Sequence, residues 1–168
     1  MVTTDLTALQ TPALLLDEAK MQRNIRRLAG RATALGVTLR PHLKTAKSID
    51  VARHLSGGTP GPVTVSTLAE AEAFHDAGYS DILYAVGISP SKLHRVMALR
   101  AKGCDLVVIL DGAEQATAAA SAGVPALIEI DSDGHRGGLL PNDLKLIDVG
   151  RILDARGVLR GVMTHAGE

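Results

Sequence analysis

The sequence has few of the residues that mark disulfide-rich or aromatic-rich proteins. It contains a single cysteine, Cys104, among 168 residues, so no internal disulfide can form and a reducing, cytoplasmic location is expected. Aromatic residues make up only 2% of the chain. The core must therefore be built from Ala, Leu, Val and Ile, which favours helices packed on β-branched strands over an aromatic-rich β-sandwich.

An excess of charge of either sign is also missing. Lys plus Arg and Asp plus Glu each number 18, so nothing favours nucleic acid or an anionic membrane as a partner. The longest apolar runs, such as Ala126–Ile130, are far too short to span a bilayer. The first residues lack the basic and apolar regions of a signal peptide. We therefore expect a soluble protein whose partner is a small molecule.

Short apolar runs alternate along the chain with longer amphipathic segments. Most amphipathic segments are followed by glycine, which allows the left-handed turn that ends many helices. The predicted strands are Ala13–Leu16, Val37–Pro41, Pro62–Ser66, Asp81–Val86, Asp105–Leu110, Ala126–Asp131 and Leu159–Thr164. The predicted helices are Glu18–Leu35, Ala46–Leu55, Leu68–Ala77, Pro90–Ala101, Ala113–Ala122 and Asp143–Ala155.

The predicted strands are nearly continuous hydrophobic runs, as in parallel sheets that helices cover on both faces. Counted from Val37, the alternation suits either an open doubly wound sheet or about six of the eight units of a (β/α)8 barrel. Neither a Gly-x-Gly-x-x-Gly nor a Gly-x-Ser-x-Gly motif is present, which weakens the dinucleotide-binding and hydrolase interpretations. No linker marks a second domain.

In both architectures, functional residues gather at the carboxyl ends of the strands. Lys44 follows the first of these strands, where partial desolvation would lower the pKa of its amine and prepare it to attack a carbonyl. The alternative is a solvated lysine at the start of a helix. Ser66 and Thr67 follow the next strand and are further candidates for ligand contacts.

Two more candidates follow later strands. Arg136 lies in a glycine-rich loop, where its guanidinium could bind a phenolate or carboxylate, or could simply face water in a surface turn. His165 could stack on a ring or move a proton, or could be an ordinary polar strand end. His42 and His135 stay undecided. No histidine pair has zinc-like spacing, so we predict no metal site within the chain.

Several of these segments together resemble one enzyme family. Arg40–Thr45 resembles the lysine motif of the D-threonine aldolase and D-serine dehydratase family, whose members are fold-type III pyridoxal-phosphate enzymes with an alanine racemase-like barrel. The similarity covers almost the whole chain in the same order. The other segments that carry it are Thr11–Asp17, Val65–Glu72, Asp81–Ile88, Ile128–Arg136 and Gly161–Gly167.

The resemblance implies a fold and a set of roles. It implies an incomplete (β/α)8 barrel, preceded by one strand that in the family joins a C-terminal β-domain. Lys44 would form the Schiff base with pyridoxal 5'-phosphate, Arg136 would bind the phenolic oxygen of the cofactor, and His165 would lie near the pyridine ring. Ser66 and Thr67 would add cofactor contacts.

The resemblance also implies a reaction. We expect a lyase that cleaves D-3-hydroxy amino acids, such as D-threonine into glycine and acetaldehyde. D-Serine dehydratase and a non-catalytic domain that binds the cofactor are the alternatives. Family members carry a phosphate-binding loop, further barrel strands and the ligands of a divalent metal such as Mn²⁺ in segments beyond this one. We therefore expect residues 1–168 to form an N-terminal domain that is incomplete alone, and the complete enzyme to be a homodimer.

Overall fold

The computed structural model describes residues 5–166. The chain divides into two compact units, and the boundary along the chain falls between Leu39 and Arg40. The described part of the first unit contains a short 3-10 helix, Leu6–Ala8, and the long helix α1, Glu18–Ala34. The carboxylate of Asp17 caps α1 by accepting the backbone N–H of Lys20 at 2.9 Å. The predicted helix at Glu18–Leu35 is confirmed, because a capping aspartate begins it as expected.

The second unit is a parallel α/β structure. Its strands form one sheet of five parallel strands in the order β1-β2-β3-β4-β5, so each strand pairs with the next along the chain, and helices make the crossovers. This confirms the α/β class. The elements are α2 (Ile49–Leu55), β1 (Val63–Val65), α3 (Leu68–Asp76), β2 (Asp81–Gly87), a 3-10 turn (Pro90–Lys92), α4 (Leu93–Ala101), β3 (Asp105–Leu110), α5 (Ala113–Ser121), β4 (Ala126–Ile130), α6 (Lys145–Asp154) and β5 (Leu159–Thr164).

Two predicted strands are wrong. Val37–Pro41 forms no strand; in its place a single parallel bridge joins His42 to Thr64. Proline has no N–H to donate, so Pro41 can only accept, and its carbonyl receives the N–H of Thr64 at 2.8 Å. Ala13–Leu16 also forms no strand, and Leu14 is 99% exposed. Apolar residues alone do not make a strand when no described segment shares their backbone hydrogen bonds.

The main core lies between the sheet and the helices that cover one face of it. Alternate strand residues point into this core, and the residues on this covered face are hydrophobic. Phe74 of α3 packs edge-on against Tyr79, with ring centroids 5.5 Å apart. Burial of this apolar surface stabilises the unit by roughly 25 cal/mol per Å². The buried residues include Val63, Val65, Leu68, Ala71, Ile82, Tyr84, Val96, Leu99, Leu106, Val108, Ala116, Ala119 and Ile128.

The opposite face of the sheet lines a cavity of about 230 Å³ near the amino ends of the strands. Charged side chains surround the cavity and pair with one another: Arg40 contacts Asp81 at 2.7 Å, and Arg160 lies 3.5 Å from Asp105. In barrels of this type, polar contacts at the amino ends of strands serve stability. The functional residues should therefore lie at the other end of the strands.

Candidate active site

The carboxyl ends of the strands bring the predicted site residues to one edge of the sheet. Ser66 directly follows β1, and His165 directly follows β5. The parallel bridge between His42 and Thr64 places the loop carrying Lys44 beside the end of β1. Because all five strands are parallel, these groups share the edge at which barrel enzymes build their sites. Gly167, the last residue of the predicted motif after β5, lies outside the described residues.

Lys44 lies in a turn and is exposed. The residue before it, Leu43, is 1% exposed and donates its N–H to the Thr64 carbonyl at 2.9 Å. This buried leucine anchors the turn to β1. Within residues 5–166 the Nζ of Lys44 has no hydrogen bond or ion pair. The amine is thus held on a fixed backbone and is open to an incoming carbonyl compound.

His42, left undecided by the sequence, connects the lysine turn to Ser66. The N–H of Lys44 donates to Nδ1 of His42 at 3.3 Å, and Nε2 lies 3.4 Å from Oγ of Ser66. An accepting Nδ1 places the proton of the neutral ring on Nε2, which can then donate to Ser66. The serine O–H stays available to donate to a ligand.

The electrostatic surroundings of His42 show which groups lie near it. Burial lowers the pKa of His42, the positive charges of Lys44 and His165 lower it further, and the carboxylate of Glu70 opposes them. His165 follows β5, which lies at the opposite edge of the sheet from β1.

Ser66 and Thr67 form the turn that begins α3. Thr67 is the N-cap: its Oγ1 accepts the N–H of Glu70 at 3.0 Å, and Oε2 of Glu70 accepts the N–H of Thr67 at 3.3 Å. The same oxygen accepts the N–H of Ser66 at 2.8 Å. These reciprocal bonds form a capping box. Since Glu70 engages both backbone N–H groups, the donors that this turn leaves for a ligand are the hydroxyl groups of Ser66 and Thr67.

Arg136 lies on an exposed loop that is folded back onto β4. The carboxylate of Asp131 accepts the N–H of Gly134 at 2.8 Å, and Leu139 forms a parallel bridge with Ile130. Within the described residues the guanidinium of Arg136 has no hydrogen bond or ion pair. Arg136 thus lies in the loop that follows the carboxyl end of β4, and no other described side chain pairs with it.

The sequence analysis did not single out two carboxyl groups near this loop, those of Glu129 and Asp111. Glu129 is 8% exposed; burial raises its pKa, the negative charges of Asp111 and Asp131 raise it further, and His165 opposes them. A Cβ at Gly137 would lie 3.4 Å from Glu129 Oε2 and 3.7 Å from Asp111 Oδ2. The sequence feature that could have indicated Glu129 is the two-residue period of β4, which places it on the same face of the sheet as Leu127 and Asp131.

Within residues 5–166, no group of three or more His, Cys, Asp or Glu side chains is placed to hold a metal ion. No helix in this range is long and apolar enough to cross a membrane. The one cysteine of the sequence, Cys104, is buried, and burial raises the pKa of its thiol to about 11. A thiol with that pKa stays protonated and unreactive near neutral pH.

Comparison with known proteins gives consistent similarities. The family described as alanine racemase, N-terminal domain, matches residues 16–168. D-threo-3-hydroxyaspartate dehydratase of Delftia sp. strain HT23 is 46% identical over 96% of this chain and 45% of its own length, and a structure of it superposes with a TM-score of 0.89. 3-Hydroxy-D-aspartate aldolase of Paracoccus denitrificans is 30% identical over 97% of this chain and 44% of its own length.

A third similarity concerns an aldolase. D-Threonine aldolase from Filomicrobium marinum superposes with a TM-score of 0.81 and 29% identity over 94% of this chain and 44% of that one. The chain therefore spans a little under half the length of the relatives that it matches. These superpositions confirm the predicted barrel architecture in its partial form, with five strands where the sequence predicted about six.

Proposed function

Because this chain belongs to the alanine racemase N-terminal domain family, we propose that it is the part of a pyridoxal-phosphate-dependent lyase that bears the reactive lysine, Lys44. The observation that carries the proposal is the position of Lys44. Its amine is exposed and has no hydrogen bond or ion pair within the described residues, while its backbone is anchored by the buried Leu43. The domain boundaries predicted for residues 1–168 stay part of this proposal.

The residues at the strand ends fit the chemistry of this cofactor. A primary amine suits its aldehyde carbon, a guanidinium suits its phenolic oxygen, and an imidazole suits the face of its ring. Lys44, Arg136 and His165 offer these groups, and Ser66 adds a hydroxyl. Thr67 adds a second hydroxyl, because its Oγ1 accepts a hydrogen bond from the α3 backbone and its O–H can still donate.

The protein groups would divide the work as follows. Pyridoxal phosphate supplies an electron sink for carbanions formed next to an amino group. Lys44 would hold the cofactor through its aldehyde carbon. Arg136 would balance negative charge on the phenolic oxygen, and His165 would orient the ring. His42 stays neutral near pH 7, since burial lowers its pKa, and so keeps Ser66 in position without adding a positive charge.

The proposed substrates are D-amino acids with a hydroxyl group on the β-carbon. Cleavage of D-threonine is the activity that the sequence predicted, and a D-threonine aldolase is among the similar structures. Elimination of water from D-threo-3-hydroxyaspartate is a second candidate, favoured by the 46% identity to a dehydratase that acts on this compound. A divalent metal held by residues outside this segment, a homodimer and a cytoplasmic location stay predictions.

Product analysis tests the proposal. The full-length protein, with the segments that carry the expected metal ligands and phosphate-binding loop, is loaded with pyridoxal phosphate and Mn²⁺ and given D-threonine, D-serine or D-threo-3-hydroxyaspartate in separate reactions. Glycine with acetaldehyde indicates aldol cleavage, whereas pyruvate from D-serine, or oxaloacetate from hydroxyaspartate, with ammonia, indicates dehydration. The matched control is Lys44→Ala, which should abolish either reaction. Cofactor binding without any product would favour the non-catalytic alternative and contradict the lyase proposal.

A further inference from the structure

Glu70 connects two segments that carry predicted site residues. One oxygen of its carboxylate, Oε2, accepts the N–H groups of Ser66 and Thr67. The other, Oε1, lies 3.2 Å from the Nζ of Lys47, three residues beyond Lys44. The Glu70 side chain is only 11% exposed, whereas the Lys47 side chain is 62% exposed, so the carboxylate is the shielded member of this ion pair. One partly buried carboxylate thus joins the turn after β1 to the lysine loop.

The backbone at Lys47 indicates that this contact has a conformational cost. Lys47 has a φ of +45°, the one positive φ of a non-glycine residue within the described range. A side chain in this region is disfavoured by about 1–2 kcal/mol. The loop keeps the conformation with two contacts of Lys47: its N–H donates to the Leu43 carbonyl at 2.8 Å, and its ammonium meets Glu70.

The charge of Glu70 also reaches the site. Burial raises the pKa of Glu70, but the N–H of Ser66 and the ammonium of Lys47 outweigh burial, and the net shift is downward. The carboxylate is therefore ionised at neutral pH. Its negative charge raises the pKa of His42, against the lowering effects of Lys44 and His165. Helix capping needs an acceptor but no particular charge, so capping alone does not explain the contact with Lys47.

We propose that Glu70 is a positioning residue, which holds the loop of Lys44 against the turn of Ser66 through its ion pair with Lys47. The proposal rests on the proposed function of Lys44. In this arrangement Lys47 has a partner for its charge, while Lys44 remains the unpaired amine of the loop. Leu43 anchors the start of the loop to β1, and the ion pair holds its far end at Lys47. Loss of either member of the pair would loosen this far end and make the position of the Lys44 amine less defined.

The test uses the full-length protein reconstituted with pyridoxal phosphate, together with four variants of it. Glu70→Gln keeps an oxygen that can accept from Ser66 but removes the charge, and Lys47→Met removes the ammonium. The double variant combines both changes. Glu72→Gln is the matched control, because Glu72 lies on the same helix and pairs with Arg95 at 2.8 Å, away from the lysine loop.

The measurements are the cofactor affinity and the pH midpoint of the absorbance of the bound cofactor. Both single variants should weaken affinity, by about two- to fivefold for a partly exposed ion pair, and the double variant should be no weaker than either. The midpoint should fall in Glu70→Gln, because a negative charge is lost, and rise in Lys47→Met. Glu72→Gln should match the wild type in both measurements.

Two results would overturn the proposal. Independent, multiplicative losses of affinity in the double variant would show that the two side chains do not act together. Unchanged affinity and midpoint in Glu70→Gln, even with lower thermal stability, would show that Glu70 serves capping alone. A wild-type protein whose cofactor is not attached to Lys44 after borohydride reduction and peptide mapping would instead contradict the proposed function, so the two failures are distinguishable.

Discussion

Replacement of Gly138 by alanine should destabilise the loop that carries Arg136. Gly138 has a φ of +119°, and a Cβ there would lie 2.6 Å from the backbone N of Asp131 and 2.8 Å from the carbonyl carbon of Ile130. These are backbone atoms, and they cannot easily move. The N–H of Asp131 donates to the Leu139 carbonyl at 2.9 Å, and the N–H of Leu139 donates to the Glu129 carbonyl at 3.0 Å.

The magnitude follows from two contributions. A Cβ at positive φ costs about 1–2 kcal/mol, and forcing an extra carbon into a packed site costs about 1–3 kcal/mol. Gly138→Ala should therefore lower the free energy of unfolding by roughly 2–5 kcal/mol, a large share of a typical stability of about 5–15 kcal/mol. Cofactor affinity should fall as well, because Arg136 is two residues away on the same loop.

The matched control for this change lies in the same loop. Gly134 has a φ of +74°, but a Cβ there would meet no atom within 4 Å. Gly134→Ala should therefore show the conformational cost of about 1–2 kcal/mol alone. Urea unfolding, followed by circular dichroism, compares the two variants with the wild type. Equal losses of stability in both variants would refute the reasoning, because the backbone clash at Gly138 would then contribute nothing.

Three further predictions concern the predicted site residues. Borohydride reduction of the cofactor-loaded protein should place the pyridoxyl group on Lys44, and a label on another lysine would contradict the assignment. Arg136→Ala should weaken cofactor binding and shift the absorbance titration, and Arg136→Lys should restore both only partly, since an ammonium lacks the planar fork; an unchanged alanine variant would leave Arg136 as a surface residue. Asp111→Asn should lower the pKa of Glu129 in a carbon-13 NMR titration, because the negative charge of Asp111 helps to raise it; a constant pKa would show that the charge of Asp111 does not act on Glu129.

The sequence by itself determined most of the secondary structure. The strands Asp105–Leu110 and Leu159–Thr164 have the predicted bounds, and α1, α3 and α5 agree within a residue at each end. These elements are specified locally, because hydrophobic runs, capping residues and terminal glycines act over a few neighbours. The Lys44 motif was visible for the same reason, since its residues are adjacent in the chain.

Contacts between distant residues were decided by the tertiary structure alone. Whether Val37–Pro41 became a strand depended on what lay beside it, and one bridge to Thr64 was all that formed. The placement of Glu129 under Gly137, and the link from Glu70 to Lys47, join residues that no local pattern relates. Burial and charge depend on neighbours in space, so the pKa of a carboxyl group, and thus its part in a site, follows from the fold.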